Sequence, residues 1–589
     1  MSDAHLLLVS LGPVQDFIAQ ARRSRDLWFG SHLLSELSRA AASRLAAAGA
    51  LLIFPALDNG DPELGPCDAP TRADERPPIS VANKILAEVP AEIDPRGCAE
   101  SARQAVRERW RTIAQSVRNG RGKPLLAAGV DIDAVWDEQV ADILEFYAVW
   151  VPLVGAYKDA RQAAEQALAG RKNLRDFRPW RHDCAGAPKS SLDGARVSVL
   201  KRNRSAAGFR RLRIAEGEQL DAIGLIKRAG FEPEQFVPLV NVAAGPWLRQ
   251  AAETACEELA RLRQACRARE IPAIRSPLPV VAPLPFDASV LYPSRWTALF
   301  KELDPPETDA AVARAWGEQH VRPLLKGMKS EPPAYVACLA ADGDHIGRAI
   351  DSLPSAAANR EFSRALARFP GEAREIVEGA EHCGSLIYAG GDDVLAFLPA
   401  ATAPACADAL RRAFRKRLKA GVSAEIVLTL SVGIAVGHAT EAMSVLLALA
   451  RRAERAAKDA GGDALAVIVD KRSGGERQLA LSWKDDPLAR LRHDAGLLKE
   501  KLSTGKAHEL ETLMRRFPDP RCTAVGPEAA QALVGYAEDI LAHTGESEAT
   551  SLSDLGVEPQ ADYVALRRAL ATAIDRILIV RSLREAGFR

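Results

Sequence analysis

Between residues 334 and 469 apolar strands and amphipathic helices alternate in an order that few folds accept. Strand 334–341 is followed by helical periodicity within 345–381, strand Ser385–Ala389, a Gly-Gly turn and strand Val394–Leu398. Helix 402–420, strand Ile426–Val436, helix 441–460 and strand Ala464–Val469 complete the run. The order β-α-β-β-α-β around a tight central hairpin predicts a ferredoxin-like sheet. Its turn reads Tyr388-Ala389-Gly390-Gly391-Asp392-Asp393-Val394. Glycines permit the positive φ of a two-residue hairpin and let a ligand approach the backbone. Two adjacent carboxylates at such a tip repel each other unless water or a cation neutralises them. Ala341-Asp342-Gly343-Asp344 ends the first strand, and the topology sets Asp342 beside Asp392 and Asp393. An all-oxygen set suits Mg²⁺ or Mn²⁺. Two such ions about 4 Å apart can activate a ribose hydroxyl and stabilise departing pyrophosphate. Asp342, Gly343, Asp392 and Asp393 form the expected metal set, with the three aspartates catalytic and Gly390 and Gly391 meeting the nucleotide. A solvated hairpin and an unrelated turn would explain each motif alone, but not both at adjacent strand ends.

The rest of the chain is read around that unit. His5–Leu11 reads as a buried strand, followed by Gly12-Pro13, with Pro13 suited to the first position of a helix. Val14, Phe17, Ile18, Ala21 and Trp28 recur at helical spacing, and a second helix is expected from about Ser31 to Ala48. Leu51–Phe54 reads as a strand and 55–78, rich in Pro, Asp and Gly, as a surface loop. Residues 201–330 read as mostly helical, with the proline-rich passage 271–293 as a domain-internal linker. After Gly475 the chain reads as helical to its end, with Tyr563, Leu566, Leu570, Ile574 and Ile577 on one face. The expected class is α+β: domain 1–200, a helical linker domain 201–330, a catalytic domain 331–475 and a helical domain 476–589.

Composition removes several functions. Apolar residues are 47%, charged residues 26%, and the formal net charge is +1, which excludes a wholly basic nucleic-acid coat protein. The nine cysteines are scattered without a C-x-x-C pair, so neither a disulfide framework nor zinc is expected. The longest stretch free of Asp, Glu, Lys and Arg, Ile426–Thr440, has 15 residues, too short to span a bilayer. Met1–His5 carries no basic leader, and a cytoplasmic protein without a membrane partner is expected. Two basic runs stand out: Lys201, Arg202, Arg204, Arg210, Arg211 and Arg213, and Arg411, Arg412, Arg415, Lys416, Arg417 and Lys419. Most such runs are solvated faces; the first is the better RNA-facing candidate, because glycine and short polar residues interrupt it.

Residues 334–472 resemble the catalytic palm shared by diguanylate cyclases, adenylate cyclases and CRISPR polymerase subunits. Thr429-Leu430-Ser431-Val432-Gly433-Ile434-Ala435 is similar to the cyclase strand after the central hairpin. Ala453-Glu454-Arg455-Ala456-Ala457-Lys458-Asp459-Ala460-Gly461 is similar to the helix whose lysine grips nucleotide phosphates. That implies Lys458 as the phosphate lysine, with Lys471 and Arg472 as weaker candidates. Gly12–Ile18, Arg22–Ser31, Lys189–Gly194 and Gly217–Arg228 resemble the first palm of the large subunit of type III-B CRISPR (Cmr) effector complexes. The resemblance implies two ferredoxin-like, nucleotide-cyclase-like palms plus helical domains, and a metal-dependent nucleotidyltransferase. The implied activity is synthesis of cyclic oligoadenylate from ATP when a guide RNA pairs with target RNA. The first palm, lacking Gly-Gly-Asp-Asp, would hold a second ATP without metal ligands, and Ser31 and Ser385 would line base pockets. Implied partners are a small helical subunit on the C-terminal helices and the subunit that holds the guide's 5′ end.

Many relatives carry an N-terminal His-Asp nuclease domain, and some a four-cysteine zinc site; this sequence starts directly at the first palm and has no local cysteine pair. His182-Asp183 in a basic loop and His493-Asp494 on a helix read as structural, so no single-stranded DNase activity is expected. Two other readings remain open: a messenger joining adenylate to another small molecule, and a scaffold subunit with a vestigial palm. A free-standing diguanylate cyclase fits poorly, because no sensor module is present.

Overall fold

The computed structural model describes residues 4–67, 81–174, 181, 186–203, 207–232, 236–303, 305–418, 426–472, 475–520, 525–526, 528–543, 550–560 and 562–589. His182, Asp183, Arg204 and Lys419 therefore lie outside the described residues.

Two sheets organise the chain. The first contains β1 (His5–Gly12), β2 (Leu51–Phe54), β3 (Lys84–Val89) and β4 (Glu145–Pro152) in the order β2-β3-β1-β4, with every neighbouring pair antiparallel. This is ferredoxin-like strand order. The unbroken apolar run of β1 follows from burial on both faces. Leu7, Val9 and Leu11 face the helices Ser24–Ala47 and Pro95–Asn119, whereas Leu6 and Leu8 face the helix Tyr157–Asn173 with Tyr147 and Ala164.

The second sheet contains β5 (Tyr335–Asp344), β6 (Ser385–Gly390), β7 (Asp393–Pro399), β8 (Thr429–His438), β9 (Ala464–Val469) and β10 (Arg477–Ser482). Its order is β10-β9-β8-β5-β7-β6, so the ferredoxin-like core β8-β5-β7-β6 is extended by β9, parallel to β8, and by β10. Ala337, Leu339 and Ala341 face the helices Ala356–Glu378 and Ala403–Arg417; Val336, Cys338 and Ala340 face the helix Met443–Asp459.

Three expectations need correction. Val14 to Trp28 is not one helix: a short helix Gln15–Ala19 is followed by a 24-residue helix Ser24–Ala47, and Pro13 precedes the first instead of opening it. The chain after Gly475 first forms β10, because Leu479 packs into the sheet core beside β9 before the helices begin. The passage 271–293 is irregular and lies inside its domain as expected, but it is well packed: Val280, Val281, Leu284, Phe286, Val290 and Leu291 are buried. They belong to one continuous apolar core that runs from the first palm through the helices of 222–328 to one face of the second sheet. The C-terminal helices also do not stand apart, since Ile579, Val580, Leu583 and Phe588 insert into the core of the second palm.

The palms are in direct contact. The helix Ser24–Ala47 packs against β6, and the helix Ala356–Glu378 packs against β2, each being the long helix between the first and second strands of its own palm. Arg360 donates to the Leu52 carbonyl at 2.9 Å and pairs with Asp58; Asn359 donates to the Tyr157 hydroxyl at 2.8 Å. Among the described residues no helix is long and apolar enough to cross a membrane.

Candidate active site

β5 is the central strand of the second palm, and its register places the acidic motif. Ala341 lies opposite Val394 on β7, Asp342 opposite Ser431 on β8, and Asp344 opposite Thr429. Gly390 pairs with Asp393, so Gly391 and Asp392 form the two-residue tip beside Asp342. Gly391 takes φ +65°, which the first central residue of this hairpin requires and a side chain would strain.

Lys458 reaches the same place from the helix Met443–Asp459. That helix lies so close on β8 that a Cβ at Gly433 would fall 2.0 Å from the Glu454 backbone nitrogen. The close approach brings the last turn of the helix to the acidic end of the sheet. The Lys458 ammonium donates to Asp342 and, at 3.1 Å, pairs with Glu454 one turn earlier.

Four carboxylates, Asp342, Asp392, Asp393 and Glu454, thus crowd this end of the sheet, and the one ammonium touches Asp342 and Glu454. Burial, and then the Asp342 charge, push the Asp392 carboxyl up to about 7, although the Gly343 N–H donates to it. Asp393 is driven upward by burial, by its hydrogen bond with Asp342 and by Asp392. Its side chain is exposed at the tip, so water tempers that rise. Among the described residues no three His, Cys, Asp or Glu side chains already converge in metal-ligating geometry. Asp342 is turned to Lys458 and Asp392 to the Gly343 amide. The donor set nevertheless fits a hard divalent cation: it is all oxygen, partly open, and carries mutual repulsion that such an ion relieves.

Asp344 has a different role. Its carboxylate accepts from Thr429 Oγ1 and Ser431 Oγ, both at 2.7 Å, and from the Asp463 N–H at 3.0 Å. Every oxygen is used inside the fold, and this buried bracket ties β5, β8 and the start of β9 together.

Asp342, Gly343, Gly390, Gly391, Asp392, Asp393 and Lys458 are therefore brought together. Other candidates are not. Lys471 pairs with Glu585 at 2.8 Å and lies over the Tyr335 ring, at the opposite end of β5. β9 runs parallel to β8, away from the acidic end, and carries Lys471 with it. Arg472 is engaged by Glu441 at 3.0 Å and by the Thr440 carbonyl. Ser385 is level with Phe397 and Cys338, four residues from Asp342 along the sheet, about 13 Å. Ser31 is buried in the helix that packs on β6. The basic helix 403–417 is largely internally paired, Arg411 with Asp463, Arg412 with Asp408 and Arg417 with Glu372. His493 is exposed and faces the Asp554 carbonyl, whereas Asp494 is buried against Arg576. Glu454 and Tyr388 were missed. The spacing Glu454-x-x-x-Lys458 on one helix could have found the first. Burial and the two turn aspartates push the Tyr388 hydroxyl upward, a juxtaposition with no sequence signal beyond its place before the turn.

Comparison with known proteins matches a segment of each sheet unit. Residues 335–466 match the family model for Cas10/Cmr2, second palm domain, and residues 6–115 match that for CRISPR-associated protein Cmr2, N-terminal. The CRISPR system Cmr subunit Cmr2 of Pyrococcus furiosus is 32% identical over 206 residues, covering 30% of this chain and 23% of that protein. The match thus spans about a quarter of the curated relative. Type III-B Cmr-beta in its apo state aligns over 99% of this chain and 82% of the other, at 11% identity and TM-score 0.63. Type III-B Cmr-beta bound to cognate target RNA aligns over 99% and 83%, at 12% identity and TM-score 0.65. At such identities the likeness is one of fold.

Proposed function

We propose, from the matches of two segments to the Cas10/Cmr2 family models, that this chain is the large subunit of a type III-B effector complex and joins ATP into cyclic oligoadenylates once guide RNA pairs with target RNA. The observation that carries this reading is the assembly of Asp342, Asp392, Asp393 and Lys458 from three separate segments at one end of the second palm. In the reaction a ribose 3′ oxygen bonds to the α-phosphorus of a second ATP, the bond to the β-phosphate oxygen breaks, and pyrophosphate leaves. Bound Mg²⁺ or Mn²⁺, held by Asp342, Asp392 and Asp393 with Gly343 beneath them, would activate the hydroxyl and neutralise the leaving group. Lys458 exchanges its Asp342 contact for a triphosphate oxygen, which frees that carboxylate. Gly390 and Gly391 leave the backbone open to the nucleotide.

The division proposed for the chain is a first palm in 1–200, a linker domain in 201–330, the catalytic palm in 331–475 and a helical domain in 476–589. The first palm holds the second ATP, with Ser31 and Ser385 near the base. The C-terminal helices dock a small helical subunit, and the first palm meets the subunit holding the guide's 5′ end. The test is incubation of the assembled complex with labelled ATP, target RNA and Mg²⁺ or Mn²⁺, with products resolved by mass. Cyclic adenylate products that require target RNA support the reading; products of other composition, or none at any metal concentration, overturn it.

A further inference from the structure

The acidic tip carries one carboxylate more than its expected chemistry uses. Asp342, Asp392 and Asp393 make up the metal set, and Glu454 stands beside them from the helix Met443–Asp459, where its charge helps to drive the Asp393 carboxyl upward. On an open helix face a Glu–Lys pair one turn apart adds only a little to helix stability. Glu454 is not on an open face: its side chain is 20% exposed, and the backbone at Glu454 is the point where the helix meets Gly433. It also lies toward the C-terminal end of the helix, which is itself negative. A fourth carboxylate in such a place adds repulsion that helix stability does not explain.

What Glu454 touches is Lys458. The ammonium has three N–H donors and is held from both sides, by Asp342 on β5 and, at 3.1 Å, by Glu454 on its own helix. The two contacts differ in kind. Asp342 belongs to the expected metal set, so its contact with Lys458 puts a fixed positive charge where a divalent ion would bind. Glu454 and Lys458 share one helix face, and their spacing does not depend on what happens at the sheet. The close approach at Gly433 fixes the backbone of that helix. Both carboxylates are already in contact with the ammonium, so Lys458 leaves Asp342 by a side-chain rotation with no backbone movement.

We infer that Lys458 is a resident counter-ion that closes Asp342 to free divalent metal, and that Glu454 is the positioning residue that keeps the ammonium when Asp342 turns to metal. With Glu454 in place, the lysine gives up one contact and stays at the rim, its other donors free for a nucleotide phosphate. Without Glu454, Asp342 is the one remaining hydrogen-bonding partner of the ammonium among the described residues, and lysine and metal compete for it. The inference rests on the metal reading of the acidic tip. It adds that metal loading is coupled to the movement of one lysine between two carboxylates.

The test is Mn²⁺ binding to the purified full-length chain without nucleotide, read from the electron paramagnetic resonance of the free ion. Lys458→Met should tighten binding about fivefold or more, because a competing charge is removed. Glu454→Gln should weaken it about threefold or more in the wild-type background and clearly less in the Lys458→Met background. Asp392→Asn with Asp393→Asn gives the level of binding elsewhere on the chain. In the assembled complex with ATP and target RNA, Glu454→Gln should raise the Mn²⁺ concentration needed for half-maximal joining, and saturating Mn²⁺ should restore kcat. Unchanged or weaker binding in Lys458→Met would overturn the inference. An equal loss from Glu454→Gln in both backgrounds would do the same, by making Glu454 a direct ligand or an uncoupled charge. Either result leaves the metal reading standing, because binding above the double-asparagine level persists. Binding no tighter than that level in every variant sinks the metal reading, and the inference with it.

Discussion

Asp392 and Asp393 contribute repulsion, not packing, to the folded chain. Replacing both by asparagine should abolish nucleotide joining, by at least about a hundredfold, and leave assembly intact. Full activity at saturating Mg²⁺ would contradict the assignment. The same pair gives a stability prediction. A carboxyl raised from 3.8 to about 7 holds its proton more tightly in the folded state. Its favourable contribution is complete below about pH 4 and is lost as pH climbs through 7. Without metal, Tm should therefore fall between pH 5 and pH 8, and the double asparagine variant should flatten that fall and melt roughly 2–8 °C higher at pH 8. Equal pH profiles would show that the aspartates are not coupled. Lys458→Ala should raise KM for ATP and lower kcat together, about tenfold or more in kcat/KM. Its pairs are partly solvated, so Tm should move little.

The helix Met443–Asp459 acts as an element, because the contact at Gly433 fixes how far Lys458 reaches. Gly433→Ala drives a methyl group into the helix backbone and should lift the helix from β8. Overpacking of this kind costs typically 1–3 kcal/mol, so thermal unfolding should come earlier and activity fall in the same variant. Wild-type stability and rate would mean that the helix slides freely. The C-terminal helices call for a surface test instead of deletion, since truncating 480–589 would remove β10 residues and Ile579, Val580 and Leu583 from the palm core. Tyr536 is 59% exposed on the helix Glu528–Ala542. Tyr536→Glu should lower the amount of small helical subunit that copurifies with the complex; unchanged stoichiometry would place that subunit elsewhere.

For the whole molecule, the palm–palm contact joins the two sheet units directly. Each palm gives the long helix between its first and second strands to the other palm, and Arg360 and Asn359 fasten one half of that exchange. On the proposal that the first palm presents the second ATP, Asn359→Leu with Arg360→Ala should slow nucleotide joining several-fold while the three aspartates stay in place. The measurement is a turnover assay beside limited proteolysis of the 55–67 loop, which Arg360 ties down through Asp58. Unchanged turnover would mean that the second palm works alone. The buried cluster of Arg228 with Asp26 and Glu218 belongs to this scale as well. It joins two motifs about 200 residues apart in sequence, which explains them as framework.

The sequence alone determined the second palm and its acidic tip. Strand periodicity, glycines and local carboxylates are short-range signals, and a ferredoxin-like order leaves few ways to pair the strands. Lys458 was legible through its resemblance to a cyclase helix. Tertiary packing decided the rest. Lys471 and Lys458 are both basic residues near the end of an element, and only the directions of β9 and the helix send one away from the aspartates and the other onto them. Likewise 271–293 has the composition of a linker, yet nine of its apolar side chains join a core built from residues far away in the chain. Burial and charge coupling depend on distances across the fold, and local sequence does not encode those distances.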